Sequence, residues 1–423
     1  MGVDAELQPH LPGAGRGAIL GRPMEDRTTE LLARLGDSGL ADSSQVFLVK
    51  APLRICPLGA HVDHQGGVVT GMTVDRQVLM AVVPEKDPVL RVASLDFPGE
   101  VVVGLRNPVD PKTGDWGDYV RAAVAVLSRE HPLRNGFQAV IGGDLPGAGL
   151  SSSAAVLISY LLALAWVNEI DISRAKISEL VQRAENEYVG VASGRLDQSI
   201  ILFAEPGHLT RVGCLDLTIE QVPRPPNSGQ FRVLVAFSGV GRALAGSGFN
   251  TRVEECRDAA RLLLELSGEA PREHPVLSDL RPEVFEQFAE DMPQAQRRRA
   301  AHYFGEQWRV HGGVEAWRHG DLHRFGALMN ASGASSIHNY ESGTAELITL
   351  YELLRDAPGV FGTRFSGGGF GGSCIALIEP EAGEAVIQGV RRGYETVHAK
   401  AAATASFDIC RPGGPAHVLQ LEG

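Results

Sequence analysis

The segment Leu145-Pro146-Gly147-Ala148-Gly149-Leu150-Ser151-Ser152-Ser153-Ala154-Ala155 constrains this chain most, because a glycine-rich turn runs there straight into an apolar stretch that reaches Val167. Gly147 and Gly149 let the backbone approach an anion closely, and the first free N–H groups of a following helix point at it with the positive end of the helix dipole. Such a loop can cradle phosphate, and a serine hydroxyl at the helix start can reach Mg²⁺. In isolation an ordinary serine-capped helix reads the same way. The run from Ala154 to Val167 contains Ser159 and Tyr160 and is too short for a bilayer, so a core helix and no membrane partner are expected.

Three other segments carry residues that packing does not explain. Arg54-Ile55-Cys56-Pro57-Leu58-Gly59-Ala60-His61-Val62-Asp63-His64-Gln65-Gly66-Gly67 sets Arg, His, Asp and His on a turn between two strand-like runs, where a solvated hairpin is the plain alternative. Glu185 precedes Gly194-Arg195-Leu196-Asp197-Gln198, and Asp197 reads either as a base beside a strand-like Ser199–Leu202 or as a turn aspartate. Phe365-Ser366-Gly367-Gly368-Gly369-Phe370-Gly371-Gly372 leads directly into an apolar strand-like segment, which favours a second backbone loop near a ligand over a linker.

At 423 residues the chain fits two domains, and 44% hydrophobic residues suffice for both. A formal charge of −12 gives no sign of a nucleic-acid surface. Five scattered cysteines without C-x-x-C spacing argue against a disulfide framework, and no secretory signal is visible, so a cytoplasmic location is expected. Residues 1–45 read as a loose leader with a helical patch at Thr28–Leu35. Strand-like runs at Val46–Val49, Val68–Thr70, Leu79–Val83 and Val101–Val103, with helical periodicity at Tyr119–Leu127, Ser153–Val167 and Ile177–Glu187, predict a mixed α/β domain over 46–222. Prolines at 223, 225 and 226 mark a boundary, and a second domain over 231–423 is expected to begin on a strand, with helices at Arg252–Ser267, Met292–His311 and Asp321–Met329 and a late strand at Ser373–Ile378.

Taken together and in this order, the four segments resemble those of the GHMP small-molecule kinases, in their galactokinase-like branch. RICPLGAHVDHQGG is similar to the first motif of that family, LPGAGLSSSAA to the second and FSGGGFGGSC to the third, while GRLDQ resembles the galactokinase Gly-Ile-Met-Asp-Gln and the segments Gly241–Cys256 and Arg299–Glu306 also look like the family. The resemblance covers residues 45 to 415. It implies a two-domain α/β (α+β) fold with the active site in the interdomain cleft, and transfer of phosphate from ATP to the anomeric hydroxyl of a small sugar. Asp197 would accept the hydroxyl proton, with Arg54 across from it. Backbone amides of Gly147, Ala148, Gly149, Leu150, Ser151, Ser152 and Ser153 would bind the phosphates, with Ser153 and Glu185 holding Mg²⁺. Ala60, His61, Asp63, His64, Gly194, Arg195, Phe249, Gly368 and Gly369 would line the sugar site. A monomer is the expectation from the family.

Ala60 stands where galactokinases carry a glutamate facing the sugar C6 hydroxyl, and a substrate carboxylate there would clash with such a glutamate. With His64 and Arg195 as potential cations, the pattern resembles the uronic-acid branch and implies D-galacturonate as substrate and α-D-galacturonate 1-phosphate as product. A galactokinase, a kinase of another hexose or amino sugar, and a catalytically silent sugar sensor are the alternatives. The intact serines, Glu185, Arg54 and Asp197 favour an enzyme.

Overall fold

An unbroken strand of 18 residues, β2 (Val68–Glu85), is the spine of the first sheet. One edge pairs antiparallel with β1 (Phe47–Ile55), with Val82 opposite Phe47 and Met72 opposite Ile55. Its other edge serves two strands, β6 (Leu209–Gly213) along residues 68–71 and β5 (Gly136–Gly143) along 78–85. Two separate runs are expected from the sequence, with Asp75-Arg76-Gln77 between them. The strand continues because neighbours satisfy that polar middle: Asp75 N–H donates to Arg411 O at 2.8 Å, Arg411 N–H to Asp75 Oδ1 at 3.0 Å, and Gln77 N–H to Asp144 Oδ2 at 2.8 Å. β3 (Val89–Ser94) adds parallel to β5, β4 (Glu100–Gly104) follows it, and β7 (Thr218–Val222) lies on β6.

This computed structural model describes residues 24–36, 46–106, 111–145, 149–226, 228–241 and 248–421, with side chains from residue 27 onward. Gly147 and Ala148 of the expected phosphate loop lie outside them.

Strand alternation sends Phe47, Val49 and Met80 to one face of the first sheet, where they meet α2 (Asp118–Leu127), α3 (Ser152–Val167) and α4 (Arg174–Arg183) in one buried core. The opposite face presents Leu48, Leu79 and Ala81 to Leu31 and Leu35 of α1 (Met24–Gly36), so the helical patch in the leader is a helix docked on the sheet. α3 is buried nearly all round, as its uniformly apolar sequence requires.

The second sheet has the order β11 (Ser406–Cys410), β8 (Arg232–Phe237), β10 (Ser373–Ile378) and β9 (Val360–Phe365), all antiparallel. α10 (Ala345–Arg355) and α11 (Gly383–Val397) pack on one face. α9 (Leu322–His338) lies on the other, so close that a Cβ on Gly326 would sit 1.9 Å from the Phe361 carbonyl oxygen. α6 (Phe249–Ser267) and α8 (Gln294–Arg318) form a third cluster against Val62, Val69 and Ile200.

One expectation needs correction. Ser199–Leu202 is not a strand; it lies in the short helix α5 (Leu196–Phe203), whose Ser199, Ile200, Ile201 and Leu202 are all buried, and a short fully buried run carries no period that separates helix from strand. The last strand, β12 (His417–Gln420), crosses back and pairs with β1 from Phe47 to Lys50. The five cysteines are free and buried, and no described helix is long and apolar enough to cross a membrane.

Candidate active site

Three irregularities in the backbone aim the functional side chains. A bulge in β1 between Pro52 and Arg54 turns Arg54 inward at the end of the strand. α4 runs into a π-helical turn, Ala184–Val189, whose wider coil projects Glu185, while the Glu185 carbonyl accepts the N–H groups of Gly190 and Val191 at 2.8 and 3.0 Å. Ser151, just before α3, takes the left-handed conformation with φ of 62°, which swings its hydroxyl away from the helix. Ser151 therefore does not cap α3 through its side chain, contrary to the serine-capped start read from the sequence. Its Oγ donates instead to Asp197 Oδ2, and the first N–H groups of α3 are left without that side-chain partner.

Asp197 sits in the first turn of α5, a rigid placement in which the helix dipole favours negative charge. Arg54 donates to its Oδ1 from Nε at 2.7 Å and from Nη2 at 2.6 Å, and from Nη1 to Ser366 Oγ at 3.3 Å. Ser366 Oγ in turn donates to Gly149 O at 3.2 Å, so the ends of both glycine-rich loops meet at this ion pair.

Glu185 accepts from Ser153 Oγ at 3.4 Å and from Ser193 Oγ at 2.6 Å. Burial, and then the charge of Asp197, push its carboxyl up to about 7. Asp63 is likewise raised to about 6 by burial and by Asp197. Its Oδ2 accepts Leu196 N–H at 3.4 Å, and it lies against the backbone of Gly194, where a Cβ would come within 2.4 Å of that oxygen. His61 stacks on Tyr340 with centroids 4.2 Å apart and planes inclined by 9°.

These groups surround one cavity. Among the residues assigned from the sequence, Arg54, Ala60, His61, Asp63, Ser153, Glu185, Gly194, Asp197, Phe249 and Gly368 line it. Gly369 does not; its carbonyl receives Gly343 N–H at 2.8 Å behind the loop. Arg195 lines an adjoining polar groove of about 440 Å³ that shares Asp63 and Ser193 with the cavity, and its Nε donates to Gln182 Oε1 at 3.2 Å. His64 lines that groove too. Its Nε2 lies 3.1 Å from Tyr340 Oη and its Nδ1 3.0 Å from Gln65 Nε2, and burial, then Arg257, lower it to about 3, so it is neutral near pH 7. Neither residue supplies the cation in the cavity that the sequence led us to expect. Ser193 and Arg364 belong to the site and were not singled out from the sequence, and Ser366 stood out there only as part of its glycine-rich loop; a lone serine or arginine gives no local pattern of its own.

The site thus joins the N-terminus of α3, the glycine-rich loop after Ser366, the buried carboxylates Glu185 and Asp63, and the arginine-paired Asp197. Two family models match the chain, the GHMP kinases N-terminal domain over residues 118–205 and the GHMP kinases C-terminal domain over 314–396. The chain belongs to the GHMP kinases, within their sugar-kinase branch. It is 42% identical to a galacturonokinase of Arabidopsis thaliana, over 89% of this chain and 95% of that one. It is 35% identical to a galactokinase of Chloroflexus aurantiacus, over 82% and 87%. The crystal structure of Lactococcus lactis galactokinase complexed with galactose superposes with a TM-score of 0.83 at 29% identity, covering 92% of this chain and all of that one.

Proposed function

We propose that the enzyme transfers the γ-phosphoryl group of ATP to the anomeric hydroxyl of D-galacturonate, giving α-D-galacturonate 1-phosphate and ADP. The observation that carries the choice of sugar is the small, buried Ala60 in the cavity wall, beside a chain 42% identical to a galacturonokinase. A galactokinase reading would have to bind O6 with no carboxylate at that position.

Asp197 accepts the proton from the sugar O1 as O1 attacks the γ-phosphorus and the bond to the β–γ bridging oxygen breaks. Arg54, shared between Asp197 and the loop at Ser366, then faces the negative charge that develops on the transferred group. Backbone N–H groups at the start of α3 hold the phosphates. The site fits Mg²⁺: Glu185 is a buried carboxylate near two others, its donors among the described residues are the hydroxyls of Ser153 and Ser193, and Ser153 Oγ lies beside it. Bound by Glu185 and Ser153, Mg²⁺ would supply neutralisation of phosphate charge. Glu185→Gln is expected to raise the Mg²⁺ concentration for half-maximal rate by about tenfold or more, the scale of losing one ligand charge of ~1.4 kcal/mol. A Mg²⁺ titration of the initial rate checks this, and an unchanged midpoint removes Glu185 from the metal site.

His61 and Asp63 are offered to sugar hydroxyls. Gly194→Ala forces Asp63 off its place, so the Michaelis constant for the sugar should rise about tenfold or more, from an overpacking cost of ~1–3 kcal/mol. The constant for ATP should hardly move, and equal changes in both would place Asp63 outside the sugar site.

Initial-rate ADP release across galacturonate, glucuronate, galactose and N-acetylgalactosamine tests the assignment. Preference for galacturonate supports it. Preference for galactose keeps the chemistry and discards the uronate, and binding of sugar and ATP without turnover moves the reading to a sugar sensor.

A further inference from the structure

A uronate brings a carboxylate into the cavity, and the wall must hold a cation to receive it, since an unpaired buried carboxylate is costly. With Arg195 and His64 in the neighbouring groove, the arginines that line the cavity among the described residues are Arg54 and Arg364. Arg54 is engaged by Asp197.

Arg364 lies near the end of β9, its side chain fully buried beneath α9. Its Nε donates to Phe365 O at 2.8 Å, Nη1 to Ser332 Oγ at 2.9 Å and Nη2 to Ser336 Oγ at 3.4 Å. All three acceptors are neutral. Glu306 Oε1 lies 3.9 Å from Nη1, and that carboxylate is already held by Arg309 Nε at 2.7 Å, Ser332 Oγ at 2.6 Å and Gly59 N–H at 2.9 Å. Two guanidiniums thus share one carboxylate. Cys56 and His302, packed there, are both neutral near pH 7, because burial holds the Cys56 thiol up at about 12 and lowers His302 to about 4. The same hydrogen bonds position the turn at Ala60: Glu306 takes the Gly59 N–H, and His302 Nε2 lies 2.9 Å from Ala60 O. An excess positive charge and a missing side chain therefore occur together on one wall of the cavity.

We propose that Arg364 is the specificity-determining residue that receives the substrate carboxylate, in the space left by the small side chain of Ala60. The proposal rests on the uronate reading above. It places the acid end of the sugar against β9 and α9, away from the groove that holds Arg195.

The test compares kcat/KM for D-galacturonate, its uncharged 6-amide and D-galactose in the wild-type enzyme, Arg364→Gln, Arg364→Lys and Glu306→Gln. In the wild type galacturonate should exceed the amide by about a hundredfold, the scale of a charge-assisted pair. Arg364→Gln should erase that gap, read as the ratio of kcat/KM for galacturonate over its amide, which cancels any loss common to all three sugars, and Arg364→Lys should restore part of it. Glu306→Gln removes the one carboxylate the guanidiniums share and should widen the gap, a change of sign that a purely structural role does not produce and that remains readable if Arg364→Gln fails to fold. Equal losses on all three sugars in the Arg364 variants, or a gap that Glu306→Gln leaves unchanged, overturn the proposal. If the wild type itself prefers galactose, it is the uronate reading that has failed; if it prefers galacturonate but the gap is insensitive to Arg364, only this proposal has.

Discussion

Asp197→Asn should lower turnover by about 10²–10⁴-fold, the usual scale of a lost general base, and leave ATP binding intact. The amide is close in shape to the carboxylate, so its oxygen can still accept from Arg54 and its NH₂ group can donate to Ser151 Oγ. What it cannot do is take the sugar proton as O1 attacks. Single-turnover rates with nucleotide affinity measured in parallel separate the two effects. Turnover near that of the wild type would take the base role away from Asp197, and parallel loss of ATP affinity would mean that the Arg54 to Ser366 contact had been disrupted instead.

Ala60→Glu should invert the sugar preference. Ala60 is only 4% exposed, and the turn that carries it is fixed by His302 and Glu306, so a glutamate there has to enter the cavity. Opposite a galacturonate carboxylate it adds a desolvated like-charge contact of several kcal/mol, whereas opposite a C6 hydroxyl it accepts a hydrogen bond. A penalty of ~3 kcal/mol moves the ratio of kcat/KM for galacturonate over galactose by about a hundredfold. The ratio itself is the measurement, because it cancels any general loss of activity. An unchanged ratio would remove the charge argument for the substrate, and with it the meaning attached to this alanine.

Much of the site is legible in the sequence because phosphoryl transfer needs residues that packing does not: the glycines around Gly149 and Gly368, Ser153, Glu185, Arg54 and Asp197 stand out for that reason. The order of strands and helices is legible from periodicity in most places. It fails at Ser199–Leu202, where burial on every side erases the period, and at Asp75-Arg76-Gln77, where polar residues that look like a turn are satisfied by Arg411 and Asp144 from far along the chain. Spacing also cannot say which way a side chain points. Arg195 and His64 flank cavity residues in sequence yet face the neighbouring groove. Arg364 is hidden for the opposite reason, since one arginine in Val360–Phe365 reads as a solvent-facing residue of a strand. The signal that could have found it lies elsewhere, in Ser332, Ser335 and Ser336, which fall on one face of α9 and need a buried polar partner.

The chain passes between its two sheets more than once at the level of single strands, from β7 to β8 and again from β11 back to β12 and β1. The first sheet is therefore not a separable module: a fragment ending before β8 leaves the edge of β1 from Phe47 to Lys50 without its partner.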